Sequence, residues 1–149
     1  MKYLGTFLDA QTSQNASYRN SIAIPVTTTP ALFGTLGLST VGAGANIRVE
    51  FAFSATISSL AAILTPVNIE VYRGVGPGRV LVYSAQITLP VAGLGVASRT
   101  VFTLAGADFN PPSPSNFLIY QSFISIPAGI AVLPTRTGPE SFYAAAYSD

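Results

Sequence analysis

The stretch from residue 47 to residue 57 reads Ile-Arg-Val-Glu-Phe-Ala-Phe-Ser-Ala-Thr-Ile, and it decides the fold. Apolar side chains occupy every second position, and Arg48, Glu50, Ser54 and Thr56 stand among the positions between them. A period of two places successive side chains on opposite faces of a strand, whereas an amphipathic helix repeats every three to four residues. The stretch is therefore predicted to be a long strand with one face in a hydrophobic core.

Similar strands are predicted on both sides of this stretch, separated by clusters of glycine and proline. Val67 to Tyr72 alternates in the same way and stops at Gly-Val-Gly-Pro-Gly (74–78), after which Arg79 to Tyr83 resumes as a hairpin partner. A helical turn is expected only within Ser58 to Leu64. Further strands are predicted at 21–29, 32–38, 98–104, 116–126 and 141–147. About eight strands with proline-rich connections predict an all-β protein, an antiparallel β-sandwich.

Three architectures fit about eight antiparallel strands: a jelly roll, an immunoglobulin-type sandwich and an up-and-down barrel. The immunoglobulin type loses its usual core marker, because the chain contains no Trp and no Cys. An outer-membrane barrel requires export, and Asp9 ends the first apolar stretch too early for a secretory signal. Small Ala, Ser and Thr residues alternate with the bulky apolar ones, which suits a subunit with packable outer faces. The jelly roll is therefore the preferred prediction.

The composition predicts that other copies of the chain cover much of the surface. The 149 residues are 49% hydrophobic and only 9% charged, with a net charge of +1. An average soluble domain is about 25% charged. So sparse a charge favours contacts between subunits, and it makes nucleic acid an unexpected partner. A membrane is not an expected partner either, since no apolar run reaches the length of a spanning helix.

The residue types that carry most enzyme chemistry are missing. Without His and Cys, the chain lacks the commonest acid–base group near neutral pH, the thiolate nucleophile and the usual ligands of zinc, copper and iron. The glycine-rich segments at 42–44, 74–78 and 93–95 do not continue into a phosphate-binding loop. The acidic residues are scattered singly: Asp9, Glu50, Glu70, Asp108, Glu140 and Asp149. We therefore expect no enzyme activity, no cofactor and no metal.

The N-terminus has the composition of an apolar tip on a polar tether. Tyr3, Leu4, Phe7 and Leu8 form the tip, and residues 9–20 are almost entirely polar. Such a segment can dock in a groove of a neighbouring subunit or add a strand to its sheet. The alternatives are that residues 3–8 are the first strand of their own domain or a frayed end. The prediction is an intersubunit arm over residues 1–19, followed by a jelly-roll domain over residues 20–149.

Four segments of the chain resemble small β proteins of the spore surface in endospore-forming bacteria. They are Leu-Thr-Pro-Val-Asn-Ile-Glu-Val-Tyr-Arg-Gly (64–74), Asp-Phe-Asn-Pro-Pro (108–112), Leu-Ile-Tyr (118–120) and Val-Leu-Pro-Thr-Arg-Thr-Gly-Pro-Glu-Ser-Phe (132–142). The resemblance is to the C-terminal heads of collagen-like exosporium proteins, which are trimeric jelly rolls similar to tumour necrosis factor and the complement globular head. This chain differs from those proteins in having no Gly-X-Y stalk.

The resemblance implies a homotrimer that is a structural subunit of a spore-surface filament or exosporium layer. Trimers would be linked head to tail through the arm and would contact other spore-surface proteins. Such proteins are assembled from the mother-cell cytoplasm, which fits the expectation that this chain needs no signal peptide. The alternative is a trimeric adhesion head, whose loops at 74–78 and 110–115 would contact carbohydrate or host protein.

Overall fold

The computed structural model of the protein describes residues 5–149. Within that range the chain forms strands, one short 3-10 turn at Gly76–Gly78 and no α-helix, so the helical turn expected within 58–64 is wrong. The strands are β1 (Thr6–Ala16), β2 (Ile24–Pro25), β3 (Ala31–Ser39), β4 (Ile47–Ser59), β5 (Thr65–Arg73), β6 (Val80–Leu89), β7 (Ser98–Phe109), β8 (Phe117–Ser125), β9 (Thr135–Arg136) and β10 (Glu140–Ser148).

The strands form two antiparallel sheets in the order of a jelly roll. Sheet A has β1, β10, β4 and β7 side by side, with β9 and β2 continuing it beside the far end of β4. Sheet B has the order β3, β8, β5, β6. When the eight long strands are numbered along the chain, the orders become 1-8-3-6 and 2-7-4-5. This pairing of the first strand with the last and alternation between sheets is the double Greek key of the jelly roll, so the predicted fold is confirmed.

The core lies between the sheets and is rich in aromatic rings. Phe51 and Phe53 of β4 pack against Phe142 of β10, with ring centroids 6.4 Å apart in each pair. Tyr83 of sheet B meets Phe51 edge to face at 5.6 Å. The inward side chains of β4 are at most 2% exposed, as the alternation in residues 47–57 predicts: Val49, Phe51, Phe53, Ala55 and Ile57.

Two glycines make room for these rings. A Cβ on Gly106 would lie 2.7 Å from the Tyr83 ring and 2.8 Å from the Phe51 ring, closer than real Cβ contacts allow. A Cβ on Gly34 would lie 2.5 Å from the Cβ of Phe142. The strand glycines therefore serve close packing, as glycine inside a strand commonly does.

The structure corrects the predicted N-terminal boundary. Residues 6–16 are not a tether but strand β1, which pairs with β10 of the same chain from Thr6 opposite Ser148 to Ala16 opposite Glu140. A strand at a sheet edge needs few apolar residues, and an irregularity in the pairing at Leu8 breaks the period of two. The polar composition of this segment therefore concealed a strand that the jelly roll requires.

The strand predicted over 21–29 is also shorter in the structure. Only Ile24–Pro25 pairs, with the two residues of β9. Pro25 and Pro30 lack a backbone N–H and cannot donate to a ladder, which limits this segment to a brief contact. The remaining predicted strands at 32–38, 67–72, 98–104, 116–126 and 141–147 all correspond to strands of the structure.

Candidate functional site

The four residues predicted to form the intersubunit tip do not form one cluster in the described structure. Tyr3 and Leu4 lie outside the described residues. Phe7 is 58% exposed on β1, where its ring meets Tyr147 edge to face with centroids 5.9 Å apart. Leu8 is half buried and packs against the core of its own domain. Phe7 is therefore the described residue of the predicted tip that is available to a partner.

One buried charge cluster joins the two sheets. Asp108 of β7 accepts hydrogen bonds from the Arg73 guanidinium at 2.6 Å and from the Tyr120 hydroxyl at 2.7 Å. Burial, together with the neighbouring Asp108 carboxylate, raises the pKa of Tyr120 well above its ordinary value of 10.0. The phenol therefore keeps its proton and acts as a donor, so this cluster is a satisfied cross-sheet link rather than an acid–base pair.

A second buried cluster fixes the end of β1. Glu140 is fully buried at the start of β10 and receives two hydrogen bonds from the Arg136 guanidinium, one of them at 3.0 Å to Oε2. The Asn15 side-chain amide of β1 donates to the same carboxylate. The carboxylate has donors on both oxygens, and Arg136 and Glu140 are buried, whereas Asn15 is exposed. These hydrogen bonds link β1 to the start of β10, and both carboxylate oxygens are already occupied by donors of the same chain.

The outer face of sheet B carries an aromatic cluster that is already covered. The Arg79 guanidinium lies 4.1 Å from the ring centroid of Tyr72 and 4.8 Å from that of Phe123. The Tyr72 hydroxyl donates to Glu70, and this hydrogen bond raises the pKa of Tyr72 above its ordinary value. A sugar ring would have to displace Arg79 in order to stack there.

No group of three or more acidic, His or Cys side chains that could hold a metal occurs among residues 5–149. In the same part of the chain, no helix has the length and apolar character needed to cross a membrane.

The outer face of sheet A is made largely of small side chains. A shallow depression of about 510 Å³ in this face is lined by residues of β4, β7 and β10, with Ala52, Ala105 and Tyr143 among them. Three adjacent rows of the face contain three small residues and one larger residue each. The rows are Ala10, Ala145, Glu50 and Ala107; Thr12, Tyr143, Ala52 and Ala105; and Gln14, Ser141, Ser54 and Thr103. The expectation of small, packable outer positions is met on this sheet.

Larger apolar side chains also lie on the outer face of sheet A, both at its ends and in its middle. Phe7 and Phe109 stand at one end, Tyr143 in the middle and Val101 toward the other end, all exposed by 42% or more. The ion pair on this face, Arg48 Nε to Glu50 Oε1 at 3.1 Å, joins charges of opposite sign within the chain itself. The face thus combines small side chains, exposed rings and little net charge.

The two ends of the sandwich differ in composition. Four loops meet at one end, which we call the apolar end: 26–30, 60–64, 90–97 and 126–134. We call the other the opposite end, and it has the loops 40–46, 74–79 and 110–116 together with the C-terminus. The loops proposed for an adhesion head, 74–78 and 110–115, lie at the opposite end.

The apolar end was not singled out from the sequence. Its loops come from four separate parts of the chain, and the sequence of each loop considered separately predicts only a turn. The signal that was available is that these connections contain no charged residue at all, although loops are ordinarily polar. Their large exposed side chains are Leu60, Ile63, Leu64, Val91, Leu94, Val96, Val132 and Leu133.

Comparison with known proteins leaves the chain without a family. No protein-family model matches it, and neither does any curated protein. Among solved structures, it is similar to a chain of the electron cryo-microscopy structure of the Cowpea Mosaic Virus empty virus-like particle. That match has 8% sequence identity and a TM-score of 0.30, and it covers 100% of this chain and 82% of the other. A TM-score this low indicates neither a shared function nor a shared detailed architecture.

Proposed function

We propose that this protein is a self-assembling structural subunit whose copies pack side by side through the outer face of sheet A. The observation that carries the proposal is the small-residue surface of that face, with exposed Phe7, Phe109 and Tyr143 around it. Small side chains let another backbone approach closely, and exposed rings provide apolar area that association removes from water. Lateral packing by a closed rotation permits a trimer, which is the oligomer that the resemblance to exosporium heads implies.

Charge supports the same conclusion. Burying an isolated charge in an interface is costly, whereas a charge that is already paired costs less. Arg48 and Glu50 enter the proposed contact as a preformed pair. Elsewhere, Arg73 and Arg136 are committed to Asp108 and Glu140 inside the domain. On the proposed face itself, Arg99 of β7 remains as an exposed cation that forms no ion pair within residues 5–149, at the end of the face beyond Val101.

The proposed setting is the spore surface of an endospore-forming bacterium, as a filament or an exosporium layer. It rests on the resemblance of residues 64–74, 108–112, 118–120 and 132–142 to spore-surface proteins. Of the four residues predicted for the N-terminal tip, Phe7 joins the lateral contact beside Tyr147, and Leu8 belongs to its own domain. Tyr3 and Leu4 lie outside the described residues and remain a prediction of contact with a neighbouring subunit. No catalytic step and no cofactor form part of this proposal.

The test is the mass of the purified protein with one charge added to the proposed face. Ala105 is exposed in the middle of β7, so Ala105→Arg places a cation in the face without filling the core. We expect light scattering to show oligomers for the natural chain and a clearly lower mass for this variant, because its copies can no longer associate through the face of sheet A. The matched control is Ser84→Arg on β6, exposed on the outer face of sheet B, which should leave the mass unchanged.

Negative-stain electron microscopy separates the structural role from the adhesion head. Filaments or sheets support the structural subunit. Discrete particles of about 46 kDa, three times the 15.5 kDa chain, would support the adhesion head instead. A natural chain that remains monomeric at every concentration, or an Ala105→Arg variant that assembles normally, would overturn the lateral contact.

A further inference from the structure

The apolar end of the sandwich is a preformed surface of aliphatic side chains. Its four loops contain neither a charged nor an aromatic residue. Leu94 is fully exposed between two glycines, and Leu60, Ile63 and Leu64 are each more than 60% exposed on the neighbouring loop. Scattered exposed aliphatic residues are ordinary, but a concentration of them in one place marks a surface that meets a partner.

Hydrogen bonds hold these loops together. The Ala92 N–H donates to the Ala61 carbonyl at 2.9 Å, which ties loop 90–97 to loop 60–64. The turn that presents Leu94 is closed by the Val96 N–H donating to the Gly93 carbonyl at 3.2 Å. A partner therefore meets a surface that is already shaped, and association need not order these backbone segments first.

The chemistry of this surface points to a protein rather than a lipid membrane. Surfaces that enter a bilayer usually present Trp or Tyr at the headgroup level and Lys or Arg toward anionic lipids. The four loops of the apolar end have none of these residues, although Tyr18 and Arg19 in the connection 17–23 and Arg99 near the start of β7 lie toward the same end of the sandwich. Loop carbonyls and N–H groups would also lose their water in hydrocarbon without gaining a partner.

The opposite end of the same chain offers a concave apolar counterpart. A cavity of about 370 Å³ lies between loops 74–79 and 110–116, and Val80, Phe117 and Leu118 are among its lining residues. Val80 and Phe117 are each about half exposed there. The charged residue in its lining, Arg73, is bonded to Asp108 at 2.6 Å, so the cavity is available to an apolar side chain.

We infer that the apolar end of one copy docks on the opposite end of another, with the turn at residues 93–96 placing Leu94 in this cavity. A convex turn fits a concave site better than it fits a second convex turn, which favours this contact over pairing of two apolar ends. Because the two surfaces differ, the contact is heterologous, and because they lie at opposite ends of the sandwich, its repetition favours an open linear assembly over a ring. The inference rests on the proposed function and supplies its axial contact, in addition to the lateral one.

The test uses one charged variant at each end of the full-length chain. Leu94→Asp alters the apolar end, and Val80→Asp alters the cavity. We expect each variant alone to stop at the lateral oligomer, whereas the natural chain forms longer species. Mixing the two variants restores one junction, because the first retains the cavity and the second retains the apolar end. The mass in sedimentation velocity should then double and go no further.

The matched control is Ser84→Asp on the outer face of sheet B, which should form the same long species as the natural chain. Circular dichroism and thermal unfolding check that all variants are folded. If Val80→Asp does not fold, Ser115→Trp on the exposed loop beside the cavity replaces it by filling the site. The same mixing result is expected with that variant.

Other outcomes overturn the inference and leave the proposed function distinguishable. Normal long assembly of Leu94→Asp would sink the axial contact while the lateral contact stands. Assembly of Val80→Asp alone, with no effect of mixing, would show that apolar ends pair with each other. Flotation of the natural chain with phosphatidylcholine vesicles, lost in Leu94→Asp, would assign the apolar end to lipid. A monomeric natural chain would defeat the proposed function itself.

Discussion

The interior of the sandwich buries charged side chains in pairs, whereas its apolar end exposes aliphatic side chains to solvent. Inside, Glu140 is fully buried with Arg136, and Asp108 is bonded to both Arg73 and Tyr120. At the apolar end, eight large aliphatic side chains face outward without a charge among them. The interior is complete within one chain, whereas the apolar end becomes comparable to an interior only when another molecule covers it.

The largest expected difference in the free energy of unfolding is between removing a buried glutamate and removing an exposed one, each of which pairs with an arginine. Glu140→Ala leaves the Arg136 charge buried without its partner, so we expect the free energy of unfolding to fall by about 3–5 kcal/mol. The control is Glu50→Ala, which removes the exposed partner of Arg48 and should cost about 0–1 kcal/mol. Urea unfolding measures both, and equal losses would contradict the structural role assigned to Glu140.

A smaller difference in the free energy of unfolding is expected between two glycine-to-alanine variants, one in the core and one at the apolar end. Gly106→Ala forces the Tyr83 and Phe51 rings to move, which should lower the free energy of unfolding by about 1–3 kcal/mol. Gly93→Ala at the apolar end meets no atom within 4 Å and has no positive φ, so its effect should be close to zero. A shift of the thermal midpoint in the second variant as large as in the first would refute this account of packing.

At neutral pH, Tyr120→Phe is expected to lower the free energy of unfolding by less than Glu140→Ala does. It removes a buried hydroxyl from Asp108, while the Arg73 pair remains, and should cost about 1 kcal/mol.

The same variant should change the response to alkaline pH. Because the folded protein raises the pKa of Tyr120 above 10.0, the unfolded chain releases this proton first, and stability falls as the pH rises beyond about 10. The stabilising contribution is complete below that pH. The decline, followed by urea unfolding between pH 9 and 11, should therefore be less steep in Tyr120→Phe, and an unchanged slope would contradict the pKa shift.

The long central strands were predictable because each shows a full alternation within its own sequence. Residues 47–57 predict β4, and the proline and glycine clusters correctly mark the connections on either side. β1 was missed because its evidence is not local: its polar residues belong to an edge strand whose pairing partner, β10, lies at the other end of the chain. The predicted arm over residues 1–19 therefore loses residues 6–16 to the jelly roll.

The two candidate surfaces also differ in how far the sequence alone predicts them. Small outward residues on β4 could be predicted from alternation, although their continuation onto β7 and β10 depends on strand order. Loops 60–64, 90–97 and 126–134 are far apart along the chain, and nothing in any one of them indicates the others. Only folding brings them together into one apolar surface.

The sequence by itself determined an all-β sandwich with sparse charge, because alternation and the positions of proline and glycine act over a few residues. It also determined that the chemistry of His and Cys is absent. The tertiary structure decided that β1 belongs to the domain, that Arg73 pairs with Asp108 across the two sheets, and that one end is apolar while the other has a cavity. These features join residues more than 30 positions apart, and no local pattern records such contacts.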